Sequence, residues 1–376
     1  MTNLFETNPF PVNNYYNEDL FCDRVRETKL LQSNALNGIN TILLAERRMG
    51  KTGLLHHTFH TLPKRCSGIY VDIFATTNLK DFTNLIASAI LKAFPEKNSI
   101  GKKFMLLLKS FRPVFSFDSF SGAPEVSFDF AQTKQYENSL AQLLKFLDNQ
   151  NRPIIIAIDE FQQILNFPEK NVEAYLRSII QQLKNVTFIF SGSSQHLLAD
   201  MFNNVKRPFF ASTQSIYLHE IDKKIYNDFI KQKFAERKRT ISNEALEFVL
   251  DFTKQHTYYT QTLCNKIFGM GIKKINLVDA QHAAYELLKE NETVYFQYRT
   301  LLTTNQWQLL KAIAKEDMVY QPSAKKFIYD YHLGTPANVQ RSLEALLNKE
   351  MIFCRKDEKG NYYRVYDCFL GRWLAK

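Results

Sequence analysis

Between about residue 21 and residue 218 the chain alternates short apolar runs with stretches of helical periodicity. Five runs predict strands: Thr41-Ile-Leu-Leu44, Gly68-Ile-Tyr-Val-Asp-Ile73, Pro153-Ile-Ile-Ile-Ala-Ile158, Val186-Thr-Phe-Ile-Phe190 and Gln214-Ser-Ile-Tyr-Leu218. Each is short and nearly all apolar, the pattern of strands covered on both faces. Helical segments at 51–61, 79–94, 135–149, 171–184 and 195–202 separate most of them. This alternation predicts a three-layer α/β/α core around a mostly parallel sheet.

One stretch departs from that rhythm. Arg112-Pro-Val-Phe-Ser-Phe-Asp118 and Glu125-Val-Ser-Phe-Asp-Phe130 alternate with period two around a turn-rich Ser119–Pro124 segment, which predicts an inserted β-hairpin at about 110–131. Phe115 and Phe117 share one face, and Val126, Phe128 and Phe130 share a face of the partner strand. Such a face either packs on the body of the domain or forms an interaction flap. Residues 1–20, punctuated by Pro9, Pro11 and several Asn, predict an arm rather than a packed element.

After residue 218 the pattern changes twice. Residues 219–298 are helical throughout, with no strand candidate, and predict a small helical domain. From 299, helices at 305–315, 322–331 and 336–349 precede two β-like runs, Met351–Lys356 and Tyr362–Tyr366, joined by a turn at Asp357–Asn361. Three helices followed by a hairpin is the winged-helix order. Thr335 before Pro336 supplies the third helix with an N-cap and a preset first turn. Val339, Leu343, Leu346 and Leu347 form its apolar stripe.

Composition narrows the class without identifying a function. At 376 residues, 45% hydrophobic and 23% charged, the chain has enough apolar residues for more than one core. Twelve Gly and eleven Pro exclude collagen-like and low-complexity architectures. Charges break every apolar run before the ~18 residues of a membrane span, and the first residues lack the build of a secretory signal. A cytoplasmic location is expected. The five cysteines are scattered with no CxxC, which argues against a disulfide scaffold or a zinc site. The net charge of +10 is compatible with a polyanionic partner but names none.

The strongest chemical signal is Leu44-Ala-Glu-Arg-Arg-Met-Gly-Lys-Thr52, which follows a strand and opens a helix. A polyphosphate requires a turn that points successive backbone N–H groups inward at a helix N-terminus. Ala45, Arg47, Arg48, Met49, Gly50, Lys51, Thr52 and Gly53 are therefore the candidate binding residues. Lys51 is expected to reach the terminal phosphates and Thr52 to offer its hydroxyl to Mg²⁺. The G-x-x-x-x-G-K-[ST] pattern expects Gly at position 45, where this chain has Ala45.

A second motif lies in Ile154–Ile158 followed by Asp159-Glu160, an apolar strand ending in paired carboxylates. Asp159 is the candidate Mg²⁺ ligand and Glu160 the candidate base for an attacking water. Such a pair ending a buried strand could instead be a helix cap, and its coupling with the Gly-Lys-Thr loop favours the catalytic reading. Ser191 and Ser193 end the next strand, where they could sense a γ-phosphate or simply form a tight turn. Arg207 is either an arginine-finger candidate or an ordinary surface arginine.

Taken together, Phe21-x-Asp-Arg24-x-x-Glu27, Arg47–Thr52, Ile158-Asp-Glu-Phe161, Ser191-Gly-Ser-Ser194, Arg207-Pro-Phe-Phe210 and Tyr366-Asp-x-Phe-Leu-x-x-Trp373 resemble the archaeal-type P-loop ATPases. These are AAA+-related proteins of the STAND group. The resemblance implies an ASCE-type P-loop NTPase core with strand order 5-1-4-3-2, counting core strands along the chain. It also implies a helical lid, a winged helix, and ATP with Mg²⁺ hydrolysed slowly. Arg24 would flank the nucleotide. The group's lid carries Gly-x-Pro, whereas the matching segment here is Lys254–Gln261, with neither residue.

The expected organisation is an arm (1–20), an ATPase core (21–218), a lid (219–298) and a winged helix (299–376). Three functions fit it. The first is an ATP/ADP-driven switch acting on a protein partner or a second copy. The others are a DNA-binding winged-helix protein and a nucleotide-binding scaffold with little hydrolysis.

Overall fold

The computed structural model describes residues 7–13, 15–119 and 122–376. It divides into two compact units, one of residues 13–219 and one of residues 220–376 together with the segment ending at Val12. Part of the expected arm (1–6 and Asn14) and of the hairpin turn (Phe120, Ser121) lies outside the described residues.

The 13–219 unit begins with α1 (Val25–Leu36), β1 (Thr41–Leu44), α2 (Lys51–His60) and β2 (Ser67–Asp72). Then come α3 (Leu79–Ala93), α4 (Ser99–Lys109), the hairpin β3 (Val114–Phe117) and β4 (Pro124–Ser127), and α5 (Thr133–Asp148). The unit ends with β5 (Ile154–Asp159), α6 (Val172–Ile180), β6 (Val186–Ser191), α7 (Gln195–Asn203) and β7 (Gln214–Tyr217). Five strands form one sheet in the order β2-β5-β6-β1-β7, every pairing parallel. Read from the β7 edge, this is the 5-1-4-3-2 order that the sequence resemblance implies.

Alternation along these strands sorts their side chains onto two faces. Ile42, Ile156 and Phe188 pack with Phe82 and Ile86 of α3 and Leu140 and Leu144 of α5. Leu43, Ala157 and Ile189 pack on the other face with Leu31 of α1 and Leu54 and Leu55 of α2. Both faces of β5 and β6 are covered, so these strands are apolar at nearly every position. β7 departs from that expectation. It is an edge strand, with Gln214 and Tyr217 exposed.

The hairpin is present but packs through one strand. Val126 and Phe128 are buried, and Phe128 meets Phe111 edge-on at 5.6 Å between ring centres. All four residues of β3 are exposed, including Phe115 and Phe117. The expected packed aromatic face is therefore confined to β4 and the residues after it.

The second unit contains α8 (Lys223–Ala235), β8 (Thr240–Ile241), α9 (Asn243–Thr253), α10 (Thr257–Gly269) and β9 (Lys274–Ile275). It continues through α11 (Leu277–Glu290) and α12 (Glu292–Thr300). β8 and β9 pair in parallel, so this helical part does contain strands, each two residues long. The winged helix follows as α13 (Thr304–Glu316), α14 (Lys325–Asp330), α15 (Pro336–Asn348), β10 (Ile352–Asp357), β11 (Gly360–Val365) and α16 (Cys368–Leu374). Thr335 caps α15 through the N–H of Asn338, with Pro336 in the first turn. Val339, Leu343 and Leu346 are buried as expected, and Leu347 only partly.

The N-terminal segment corrects the expectation of an unpacked arm. Phe10 is fully buried against Phe234 and Phe268, at 4.8 and 6.5 Å between ring centres. The Asn8 amide donates to the Asn265 carbonyl (3.0 Å), and the Asn265 amide donates to the Phe10 carbonyl (2.8 Å). Removing a buried phenyl group costs about 3–5 kcal/mol, so Phe10→Ala should lower the urea midpoint of this unit clearly. Trp307 and Trp373 are the chain's two tryptophans and both lie in it, so intrinsic fluorescence reports the transition directly. An unchanged midpoint would contradict the packing role.

Candidate nucleotide site

Three elements bring the chemical groups together at the C-terminal ends of adjacent parallel strands, where such sheets bind ligands. β1 leads into the loop 45–50, β5 ends on Asp159, and β6 ends on Ser191. The loop turns on two left-handed residues, Arg48 (φ 61°) and Gly50 (φ 92°). Gly50 caps α2 from that conformation, which disfavours any side chain. Ala45 adopts no positive φ, so the glycine usual at its position is not needed for backbone conformation. Ala45 and Met49 are buried in the core beneath the loop, while Arg47 and Arg48 are exposed on it.

Lys51 opens α2, is only 7% exposed, and donates to the carbonyls of Ala45 (3.3 Å) and Glu46 (3.0 Å). Burial pushes its ammonium pKa below the usual lysine range, opposed by the charges of Asp159 and Glu160. The next residue, Thr52, donates to Asp159 Oδ2 at 2.8 Å.

Asp159 is almost fully buried and is the hub of the site. Its Oδ2 also accepts from the Tyr70 hydroxyl at 3.0 Å, and its Oδ1 accepts from Ser191 Oγ at 2.7 Å and the Glu160 N–H at 3.1 Å. Thr52 and Asp159 thus offer adjacent hard oxygen donors. That chemistry fits Mg²⁺, which keeps most of its waters and takes one or two protein ligands plus phosphate oxygens. The described residues contain no cluster of three His, Cys, Asp or Glu side chains that could form an all-protein metal cage.

Glu160 follows with a left-handed backbone (φ 57°). Its Oε2 accepts from Ser193 N–H at 3.1 Å, Ser193 Oγ at 2.7 Å and Gln162 Nε2 at 2.5 Å. Lys51, Thr52, Asp159, Glu160, Ser191 and Ser193 are therefore linked by hydrogen bonds or charge interactions. The two serines divide their contacts, Ser191 to Asp159 and Ser193 to Glu160.

Two other sequence candidates have partners of their own. Arg207 is ion-paired to Glu173 of α6 at 3.0 Å and Asp200 of α7 at 3.1 Å. Arg24 is buried at the start of α1, with Nη1 donating to the His219 carbonyl at 2.7 Å and Nη2 buried without a hydrogen-bond partner. Gly53 lies in the first turn of α2 against the Phe21 ring. The three histidines of α2 serve packing and surface, as expected. His57 stacks on Phe21 at 4.2 Å, His56 lies on Tyr70 at 4.6 Å, and His60 is exposed.

Sequence reasoning missed Tyr70, Gln162 and Gly192. Burial and then the Asp159 charge raise the Tyr70 pKa, so its phenol stays a donor. Its signal was available: a tyrosine between the buried Ile69 and Val71, level with Ala157 of β5 and two residues before Asp72.

A phosphate loop, a buried carboxylate hub and a parallel sheet of this order define a P-loop NTPase core. The family model described as an ATPase domain predominantly from Archaea matches residues 21–260, and a probable winged helix domain matches residues 293–376. The chain belongs to this archaeal-type ATPase family and carries a C-terminal winged helix.

Among solved structures, a Walker-type ATPase of Pyrococcus abyssi aligns over 98% of this chain and 100% of its own, with TM-score 0.68 and 18% identity. An ORC2 protein of Aeropyrum pernix, solved with ADPNP and ADP, aligns over 99% and 96% with TM-score 0.60 and 16% identity. An ORC1 protein of the same organism, solved with DNA, aligns over 95% and 93% with TM-score 0.51 and 13% identity. Likeness at these identities concerns the fold. No curated protein sequence matches the chain. No described helix is long and apolar enough to cross a membrane.

Proposed function

We propose that the protein is a slow ATPase of AAA+/STAND type that works as a molecular switch, with nucleotide state governing the position of the helical and winged-helix unit. The observation that carries this reading is the Asp159 hub, which joins the phosphate-loop helix through Thr52 and the neighbouring strand through Ser191. In this reading the amides of residues 45–52 bind the triphosphate, with Lys51 on its terminal phosphates. Thr52 and Asp159 would hold Mg²⁺, which neutralises phosphate charge. Glu160 takes the proton of the attacking water as the oxygen attacks the γ-phosphorus and ADP leaves.

Two features support a switch. The chain passes between its two compact units at 12/13 and again at 219/220. Arg24, the candidate nucleotide-flanking residue, holds the carbonyl of His219 at the second crossing. The test places one spectroscopic label in each unit. The inter-label distance should differ between ATP and ADP, and phosphate release should accompany the return to the ADP value. An identical distance in both states would refute the switch.

The second reading is DNA binding through the winged helix, motivated by the +10 charge and by the DNA-bound fold neighbour. Lys325, Lys326 and Arg341 are exposed on α14 and α15, and Lys349 is exposed at the C-terminal end of α15. Two wing arginines are engaged elsewhere within the same unit: Arg355 pairs with Glu220 at 2.7 Å and Arg364 with Asp317 at 3.1 Å. Asp317 also pairs with Lys254, in the segment that replaces Gly-x-Pro. These engagements favour intramolecular docking of the wing over phosphate contacts. No retention of duplex DNA at low salt would remove the second reading.

A further inference from the structure

We propose that Gln162 is a positioning residue for Glu160, and that Gly192 is required to leave room for it. The inference rests on the hydrolytic reading above and assigns residues that neither the motifs nor the family match identify.

The carboxylate of Glu160 stands on a strained backbone. Its left-handed conformation (φ 57°, ψ 36°) starts a 3-10 turn at Phe161–Asn166, and Gln162 is the second residue of that turn. A glutamate side chain has three rotatable bonds, so the backbone alone leaves the carboxylate group undirected. Two loops supply the restraint. Gln162, from the turn after β5, and Ser193, from the loop after β6, give Glu160 Oε2 three donors. A carboxylate oxygen has two lone pairs, so this oxygen is saturated. Fixing it orients the other, Oε1, as the oxygen that receives a proton.

The packing around Gln162 makes its placement specific. A Cβ on residue 192 would lie 2.0 Å from Gln162 Oε1 and 3.1 Å from Leu198 Cδ1. Leu198 is fully buried, so it restricts the space on that side. The Gln162 amide would have to swing away from any side chain at 192, breaking its bond to Glu160. Its own Oε1 is buried without a hydrogen-bond partner. An unsatisfied buried acceptor is destabilising, which indicates that the amide is held there by its donor end.

Phosphate release, ATP affinity and melting temperature are to be measured for Gln162→Ala, Gln162→Glu and Gly192→Ala, alone and with Glu160→Gln. Misplacing a reacting group by about 1 Å costs roughly 100-fold. The expected kcat loss is thus roughly 10- to 100-fold for Gln162→Ala and Gly192→Ala, with ATP affinity within about threefold of wild type. Gln162→Glu preserves size but sets a carboxylate against Glu160, and should lose at least as much. Added to Glu160→Gln, none should cause further loss, because residues acting as a unit are non-additive.

Full activity of Gln162→Glu beside an inactive Glu160→Gln would overturn the positioning role alone. So would a full additional loss in the Glu160→Gln background, or a kcat loss matched by weakened ATP binding. A wild-type rate surviving Glu160→Gln would overturn the hydrolytic reading and this inference with it.

Discussion

Lys51→Ala should abolish ATP binding at working nucleotide concentrations, with an affinity loss of at least ~100-fold, yet leave the unliganded protein folded. Charge-assisted hydrogen bonds contribute about 1.5–3 kcal/mol each. An ammonium on the terminal phosphates can make two, and each 1.4 kcal/mol is about tenfold in affinity. In the structure the Lys51 ammonium is held by two neutral carbonyl groups, and burial disfavours its charge. Its removal does not orphan Asp159, which keeps Thr52, Tyr70, Ser191 and the Glu160 N–H as donors. The unliganded melting temperature should therefore move little. ATP at about 100 times its dissociation constant should stabilise the wild type by about 2.7 kcal/mol and leave Lys51→Ala unmoved. Titration with a fluorescent ATP analogue and melting curves with and without ATP check both halves. A variant still stabilised by ATP would remove the triphosphate from residues 45–52.

What the sequence makes legible follows from how each feature is encoded. β1, β5 and β6 announce themselves because a parallel strand buried on both faces must be apolar at nearly every position. Thr335-Pro336 is a local cap, readable without knowledge of the fold. α1 is missed because Val25–Leu36 mixes Arg, Glu, Lys and Gln into a weak stripe, and its N-cap is a left-handed Arg24 with no capping side chain. β8 and β9 are two residues each, too short for any period to show.

The site divides in the same way. Lys51, Thr52, Asp159 and Glu160 are carried by local motifs on strand ends and a helix start. The link from Glu160 to Gln162 and Ser193 depends on a left-handed backbone at 160 and an absent side chain at 192, which only the folded chain reveals. Arg207 illustrates the converse. The sequence leaves it either an arginine-finger candidate or a surface arginine, and its carboxylate partners, Glu173 and Asp200, come from α6 and α7, where no local motif announces them.

Glutamine at position 160 should stop turnover without releasing the nucleotide. The substitution keeps the length of the side chain and an oxygen that can accept from Ser193, so the pose of the residue survives. It removes the capacity to accept a proton, and positioned general bases contribute about 10²- to 10⁴-fold in rate. Phosphate release should fall by roughly 10³-fold, while Lys51 and Thr52, the groups proposed to hold the triphosphate, stay in place. ATP affinity should thus remain within about twofold of wild type. Protein passed through a desalting column after loading should carry ATP where the wild type carries ADP. This separates Glu160 from Asp159 experimentally. Asp159 ties together Thr52, Tyr70 and Ser191, so its replacement should weaken nucleotide binding as well as hydrolysis. A Glu160→Gln protein that hydrolyses ATP within twofold of wild type would place the base elsewhere. The pair of carboxylates ending β5 would then be a structural cap and a metal ligand, with no proton to move.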